Sequence, residues 1–401
     1  MTKNDTPVPV CSPVPGFRAA SAASGMRYRD RPDLGLIVAD RPCGSAGVFT
    51  RNTCAAAPVV WSRQVTDARA ILVNAGQANA QTGERGRADC AASAEAAGKL
   101  AGVPAGRVLL ASTGIIGQRM NMPAMLAALP ALAGSLSEDG LDGFSRAILT
   151  TDTRPKAFRT ETDLGARGRF TLWGCVKGAG MIAPDMATLL AFVLTDVPAE
   201  SGYLKSVLGK AAELSFNRIT VDGDTSTNDT LLALSSSAGG GAPLASSASP
   251  GADRFEEALF RLMESLARSV VEDAEGATKT VTVAVRGAET PGQALAAART
   301  VACSPLVKTA FFGEDANWGR ILCALGRSGA AFDPYRVDLY LDGVHWVKDG
   351  VDNGREEDAQ KVMKLASYTL TADLNRGSHD AAVLTCDLSH EYVTINGSYR
   401  S

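Results

Sequence analysis

Histidine is nearly missing from this chain of 401 residues, which has only three: His345, His379 and His390. A Ser-His-Asp or Cys-His mechanism would have to take its base from one of them. His345 lies in YLDGVHWVKDG (340–350), which reads as a strand–turn–strand edge with no nucleophile beside it in sequence. A surface or packed histidine is expected there. Close-set cysteines are missing too. The eight cysteines, at 11, 43, 54, 90, 175, 303, 323 and 386, are never nearer than eleven residues to one another. No CxxC pair is available for zinc or redox work, and no metal site is expected. Scattered cysteines in a chain of this size are expected to be mostly buried small hydrophobes in a reducing compartment, the cytoplasm.

Long apolar runs are lacking as well. The opening stretch MTKNDTPVPVCSPVPGF has proline and polar residues where a secretory signal needs a continuous apolar segment, so none is expected. Nowhere do about 18 apolar residues run together, so no membrane span is expected. A strong charge of either sign is also absent. The net charge is −3, which implies no basic field for nucleic acid and favours small, neutral or zwitterionic ligands.

What is present is ordinary globular material, 45% hydrophobic and 21% charged, long enough for two domains or one large layered one. Strand-like runs cover 34–40, 46–51, 70–75, 107–113, 188–196, 280–287, 336–342 and 390–397. Helix-like stretches cover 90–102, 122–134, 202–216 and 254–271, the last with apolar residues at 255, 258, 259, 262 and 263 on one face. Their mixed order predicts an α/β or α+β layered fold. The Ser/Gly/Ala/Pro stretch 235–252 reads as an exposed loop.

The chemistry concentrates in KGAGMIAPDMATLLAF (177–192). Residues 178–183 satisfy GxGxxG/A after a strand-like FTLWGCVK, but a dinucleotide fold then needs a helix of roughly ten or more residues. Only MIAPDMA, seven residues with Pro184 inside, precedes the next apolar run, so the phosphate-loop reading fails. The segment DGDTSTND (222–229) opens like a calcium loop. It has Thr227 where glycine is needed and Ala233 where glutamate is needed, so that reading fails also. Lys177 beside glycine suits carboxylate binding better than a Schiff base.

A nucleophile reading accounts for more of the stretch. Threonine needs a base, and an α-amine titrating at about 7.7–8.0 can serve near neutrality. Thr188 would own such an amine only if the bond from Ala187 were broken. Gly178, Gly180 and Pro184 keep the segment out of regular structure and allow strained torsions. Hydroxyl attack on the Ala187 carbonyl would give an ester, and hydrolysis would free the amine of Thr188. On the stretch alone, Thr188 is more readily a plain β-former opening a strand.

The wider sequence resembles the glutamate N-acetyltransferase / ornithine acetyltransferase family of arginine biosynthesis. The likeness runs essentially end to end, through Lys177 to Thr188 and through AGVFTRN (46–52), NAGQANAQTG (74–83), STGIIGQ (112–118), TTDTRPK (150–156), SFNRITVDGDTSTNDT (215–230), EGATK (275–279), GEDANWGRIL (313–322) and NGSYRS (396–401). The resemblance implies a four-layer αββα sandwich of N-terminal-nucleophile type. It also implies autoproteolysis between Ala187 and Thr188 into an α chain (1–187) and a β chain (188–401), paired as an α2β2 heterotetramer.

The implied activity is acetyl transfer from N-acetylornithine to glutamate through an acetyl-Thr188 ester, in ping-pong order and without a cofactor. Some members also accept acetyl-CoA, for which no phosphate-binding signature is visible here. The implied oxyanion pair is Thr113 and Gly114, and the implied substrate contacts are Thr151, Lys177, Glu275, Asn396 and Ser401. Lys177 suits the α-carboxylate shared by both substrates, and Glu275 suits an ammonium group. A self-processing hydrolase of the aminopeptidase/amidase type is the alternative. The chain departs from the usual family pattern at Gln77, Ala179, Asp185, Ala274 and Gly397-Ser398.

Overall fold

The computed structural model describes residues 13–183 and 189–398. The expectations placed on Asp185, Ala187, Thr188 and Ser401 therefore fall outside the described residues. Two sheets stack face to face. The first has four strands in the order Phe17–Ala22, Leu34–Ala39, Ala70–Gln77, Val108–Ile115. The second has five, in the order Gly44–Phe49, Thr230–Ser235, Leu190–Thr195, Arg169–Lys177, Lys156–Asp163.

Strand 190–195 shows why its sequence is apolar throughout. Successive side chains of a strand point to opposite faces. Leu190, Phe192 and Leu194 enter the core between the sheets, beside Trp173, Ile71 and Leu109. Ala191 and Val193 enter the core on the other face, under the helices Ser201–Leu214 and Ala252–Glu272. The four-stranded sheet is covered on its outer face by the helices Gly83–Ala101 and Met122–Gly134, which bring Cys90, Ala94, Ala97, Met125 and Leu129 against Leu36, Leu72 and Leu110. The result is the αββα sandwich. The face read in 254–271 is the buried one, continuing through Leu266, Ala267 and Val270.

A third sheet of seven strands, centred on Thr280–Ala288 between Ser367–Asp373 and His379–Cys386, carries its own helical cover and its own core. It joins the sandwich through the short strand Ile219–Thr220, which pairs with Leu384 and Thr385. The predicted hairpin around His345 is formed, and its ring stacks on Tyr340 with centroids 4.4 Å apart.

Three expectations need correction. The stretch read as a strand at 390–397 is the helix His390–Ser398, with no buried residue. Val393, Thr394 and Ile395 suggested a strand, but Tyr392 and Asn396 both make inward polar contacts, and Asn396 Nδ2 also donates to the Tyr392 carbonyl one helical turn back, at 3.0 Å. The cysteines are less uniformly buried than expected: Cys90, Cys175 and Cys386 are buried, whereas Cys54 and Cys323 are exposed. The 235–252 stretch is exposed over most of its length but is tied down by Leu244, which is fully buried and bonded to the backbone at Pro198 and Glu200.

Candidate active site

At one end of the sandwich lies an open cleft. Thr113, Gly114, Thr151, Lys177, Glu275 and Asn396, six residues expected from the sequence, all line it. They arrive on separate elements. Thr113 and Gly114 close the last strand of the first sheet, and Lys177 ends a central strand of the second. Glu275 follows the helix Ala252–Glu272, and Asn396 comes from the last helix. Met181 and Leu189, on either side of 184–188, line the same cleft.

Two glycines are dictated by geometry. Gly114 has φ +125°, and a Cβ on it would overlap the backbone of Gly76, its neighbour in register. Gly180 lies so close to Glu275 that a Cβ there would overlap the carboxylate. The loop's glycines thus make room for an acid rather than a phosphate. Glu275 is held by its backbone N–H, which donates to the Ala179 carbonyl at 2.9 Å, and by Asn396 Nδ2, which donates to Oε2 at 2.8 Å.

Lys177 Nζ donates to Thr113 Oγ1 at 3.4 Å. Burial pulls the Lys177 ammonium below its usual range; Asp152 opposes this, neighbouring Lys156 reinforces it, and Glu275 and Asp229 oppose it. Behind the cleft, Lys156 bridges Asp152 at 2.6 Å and Asp273 at 2.5 Å, with all three side chains nearly or wholly buried. Asp152 also accepts from the Gly178 N–H at 2.7 Å. Burial alone would raise Asp152, but the Lys177 and Lys156 ammonium groups outweigh it and bring the carboxyl down to about 2.

Sequence reasoning assigned no role to several residues of the wall. Asn228 Nδ2 donates to the carbonyls of Ala78 at 2.6 Å and Ser112 at 2.8 Å, stitching one sheet to the other. Asp229 faces the cleft from deep burial, which drives its carboxyl well above the usual range against hydrogen bonds from Ser226 and the Leu189 N–H and the field of Lys177. The dense polar run DTSTND directly ahead of the apolar strand was the available clue: so many polar groups before a buried strand must be satisfied inside. Among the described residues no cluster of His, Cys, Asp or Glu could hold a metal ion, and no helix is long and apolar enough to cross a membrane.

The ArgJ family profile matches residues 18–401. The arginine biosynthesis bifunctional protein ArgJ of Chlorobaculum tepidum is 44% identical over 392 residues, covering 96% of each chain. That of Brucella melitensis is 45% identical over 401 residues, covering 98% of this chain and 97% of its own. The chain belongs to the ArgJ family. A crystal structure of the Bacillus halodurans ArgJ protein aligns with a TM-score of 0.51 and 37% identity, over 53% of this chain and all of that one. Membership decides between the two expected activities. The protein is an acyltransferase of arginine biosynthesis, an ornithine acetyltransferase / glutamate N-acetyltransferase, and the hydrolase alternative falls away.

Three of the positions that the resemblance sets apart have structural roles here. Gln77 is buried, and its Oε1 accepts from the Asn121 N–H at 2.7 Å just ahead of the helix Met122–Gly134. Ala179 and Ala274 are both buried, where hydroxyl or bare backbone would pack less apolar surface. Gly397 and Ser398 are exposed in the last turn of the C-terminal helix.

Proposed function

We propose that Thr188 is the nucleophile of this acetyltransferase, freed by scission of the 187–188 bond, and that the lined cleft binds N-acetylornithine and then glutamate. The observation that carries this is the convergence of Thr113, Gly114, Thr151, Lys177, Glu275 and Asn396 on one cleft reached by both flanks of segment 184–188.

Scission begins when the Thr188 Oγ attacks the Ala187 carbonyl. The C–O bond forms, the C–N bond breaks, and the hydroxyl proton passes to the departing amine. Water then hydrolyses the ester, giving an Ala187 carboxylate and restoring the Thr188 hydroxyl beside the α-amine already freed. In turnover that amine takes the hydroxyl proton as Oγ attacks the acetyl carbonyl, and returns it to the leaving ornithine amine. The unprotonated amine of glutamate then attacks the acetyl ester and restores the hydroxyl.

Thr113 and Gly114 hold the oxyanion in both halves. The Lys177 ammonium receives the α-carboxylate, Glu275 with Asn396 receives the ammonium end, and Thr151 and Ser401 complete the contacts. No cofactor is needed, and acetyl-CoA is a further donor to be tested. The Bacillus halodurans chain spans 53% of this one, which fits a fragment of the size of 188–401. Two such pairs would make an α2β2 assembly, and the cytoplasm is the proposed location.

Intact-mass measurement with N-terminal sequencing tests the reading. The expected new terminus is TLLAF, and Thr188→Ala should give one uncut, inactive chain. Active protein continuous through 187 and 188 would overturn it.

A further inference from the structure

The turn ahead of segment 184–188 is held in a conformation that its residues do not favour. Met181 has φ +56°, the left-handed region that a side chain with a Cβ rarely adopts. What holds it there is a short piece of chain from beyond the cleavage point. Asp222 accepts from the Met181 N–H at 2.6 Å and from the Ile182 N–H at 2.9 Å. The Ile182 carbonyl accepts in turn from the Val221 N–H at 2.7 Å and from Thr220 Oγ1 at 3.1 Å. Two donors and one acceptor of the turn are thus all engaged by residues 220–222.

The same Asp222 has a third partner. Tyr392 of the C-terminal helix donates its hydroxyl to Oδ2 at 3.2 Å. One turn further along that helix, Asn396 donates to Glu275, against which Gly180 is packed. The C-terminal helix therefore touches both ends of the turn 180–182, through Asp222 at one and through Glu275 at the other. None of its residues is buried, although Tyr392 packs against the core beneath it.

We infer that Asp222 and Tyr392 form a latch that sets the geometry of the 181–182 turn for chain scission, so that self-cleavage waits for the C-terminal helix to dock. The inference rests on the self-cleavage proposed above. Attack by a hydroxyl on the preceding carbonyl demands close alignment, and small misplacements of the reacting atoms cost large factors in rate. The chain leaves the ribosome N-terminus first, so residues 390–398 are among the last to become available. A latch made from them ties the break to the completion of the whole fold. A chain cut earlier would have to find its other half by diffusion. Asp222 and Tyr392 are positioning residues in this account and do not line the cleft.

The test follows scission of freshly synthesised precursor by intact mass, at a temperature well below the melting point of every variant. Wild type, Tyr392→Phe, Asp222→Asn, Asp222→Glu and Thr188→Ala are compared. Tyr392→Phe removes one hydroxyl and is expected to slow scission about three- to tenfold. Asp222→Asn is expected to slow it more than tenfold, with partial recovery in Asp222→Glu, which keeps the carboxylate. The kcat per mature molecule of Tyr392→Phe should stay within about twofold of wild type, which a general loss of structure would not allow. A wild-type precursor that never cuts would defeat the underlying self-cleavage reading. A wild type that cuts, with Tyr392→Phe and any folded Asp222 variant matching its rate, would defeat the latch alone. If Asp222→Asn does not fold, Tyr392→Phe decides.

Discussion

The ammonium of Lys177 donates to the hydroxyl of Thr113 across the seam between the two stacked sheets, at 3.4 Å. A hydroxyl that accepts one hydrogen bond has its own proton free to donate elsewhere. With Lys177 as its donor, Thr113 keeps its own proton for the cleft, where the proposed oxyanion would form. Thr113→Val keeps the shape and removes the donor. It is expected to lower kcat by roughly 10²–10³, the cost of losing one oxyanion donor. Steady-state kinetics with N-acetylornithine and glutamate measures it, and an unchanged kcat would remove Thr113 from the chemistry.

Lys177 also sets a pH limit. Its folded pKa lies below the ordinary lysine value of 10.5, with burial as the main cause. The ammonium proposed to receive the substrate carboxylate is lost as pH rises through that lowered value. The KM for both substrates should therefore climb at a pH below 10.5. In Lys177→Arg, which stays charged, the climb should be absent even if activity is reduced. An identical alkaline limb in the two proteins would show that another group titrates.

Removing one member of the buried charge cluster should be costly to the fold. Asp152→Asn leaves Lys156 with Asp273 as its remaining carboxylate and takes from Lys177 its strongest opposing charge. Breaking a buried pair from one side typically costs about 3–5 kcal/mol, and denaturant unfolding of the uncut Thr188→Ala background measures it. The pH window follows from the depressed Asp152 value. Its contribution is fully present above the unfolded carboxyl value of 3.8 and is lost as pH falls toward about 2. The stability gap between Asp152→Asn and its parent should accordingly narrow over that interval.

Gly180→Ala gives a different signature. The added methyl meets the Glu275 carboxylate, so the acid must withdraw from the cleft or the loop must shift. Global stability should change by no more than about 1–3 kcal/mol, the usual range for overpacking. The KM for N-acetylornithine and glutamate should rise, and the scission rate should fall. Normal values of all three would mean that the close approach of Gly180 and Glu275 is not required.

Much of this was readable from residue order. Strand 190–195 announced itself by unbroken apolarity, because both of its faces are covered. The helix Ala252–Glu272 announced itself by spacing, because only one face is. The C-terminal helix misled, since its β-branched residues favour a strand locally and its helicity answers to Asp222 and Glu275, more than a hundred residues away in sequence. The cluster Asp152, Lys156 and Asp273 was unreadable for the same reason. A lysine four residues from an aspartate usually marks a solvated surface, and only the arrival of Asp273 makes a buried triad. Likewise, the place of Lys177 in the cleft was legible, while its grip on Thr113 depends on how two sheets stack.

The order of strands in the five-stranded sheet has a consequence for a protein cut as proposed between 187 and 188. Strands 190–195 and 230–235 belong downstream of the proposed cut, yet they lie in the middle, flanked by 44–49 on one side and by 169–177 and 156–163 on the other. Each half thus completes the hydrogen-bonding edges of its counterpart, and neither can depart without tearing open a covered core. While folded, the nicked molecule is one object. Once melted it becomes two diffusing polymers that must collide to rebuild a common sheet, so its return depends on concentration in a way that the uncut precursor's does not. Its durability is then governed by how slowly it opens rather than by how readily it recovers.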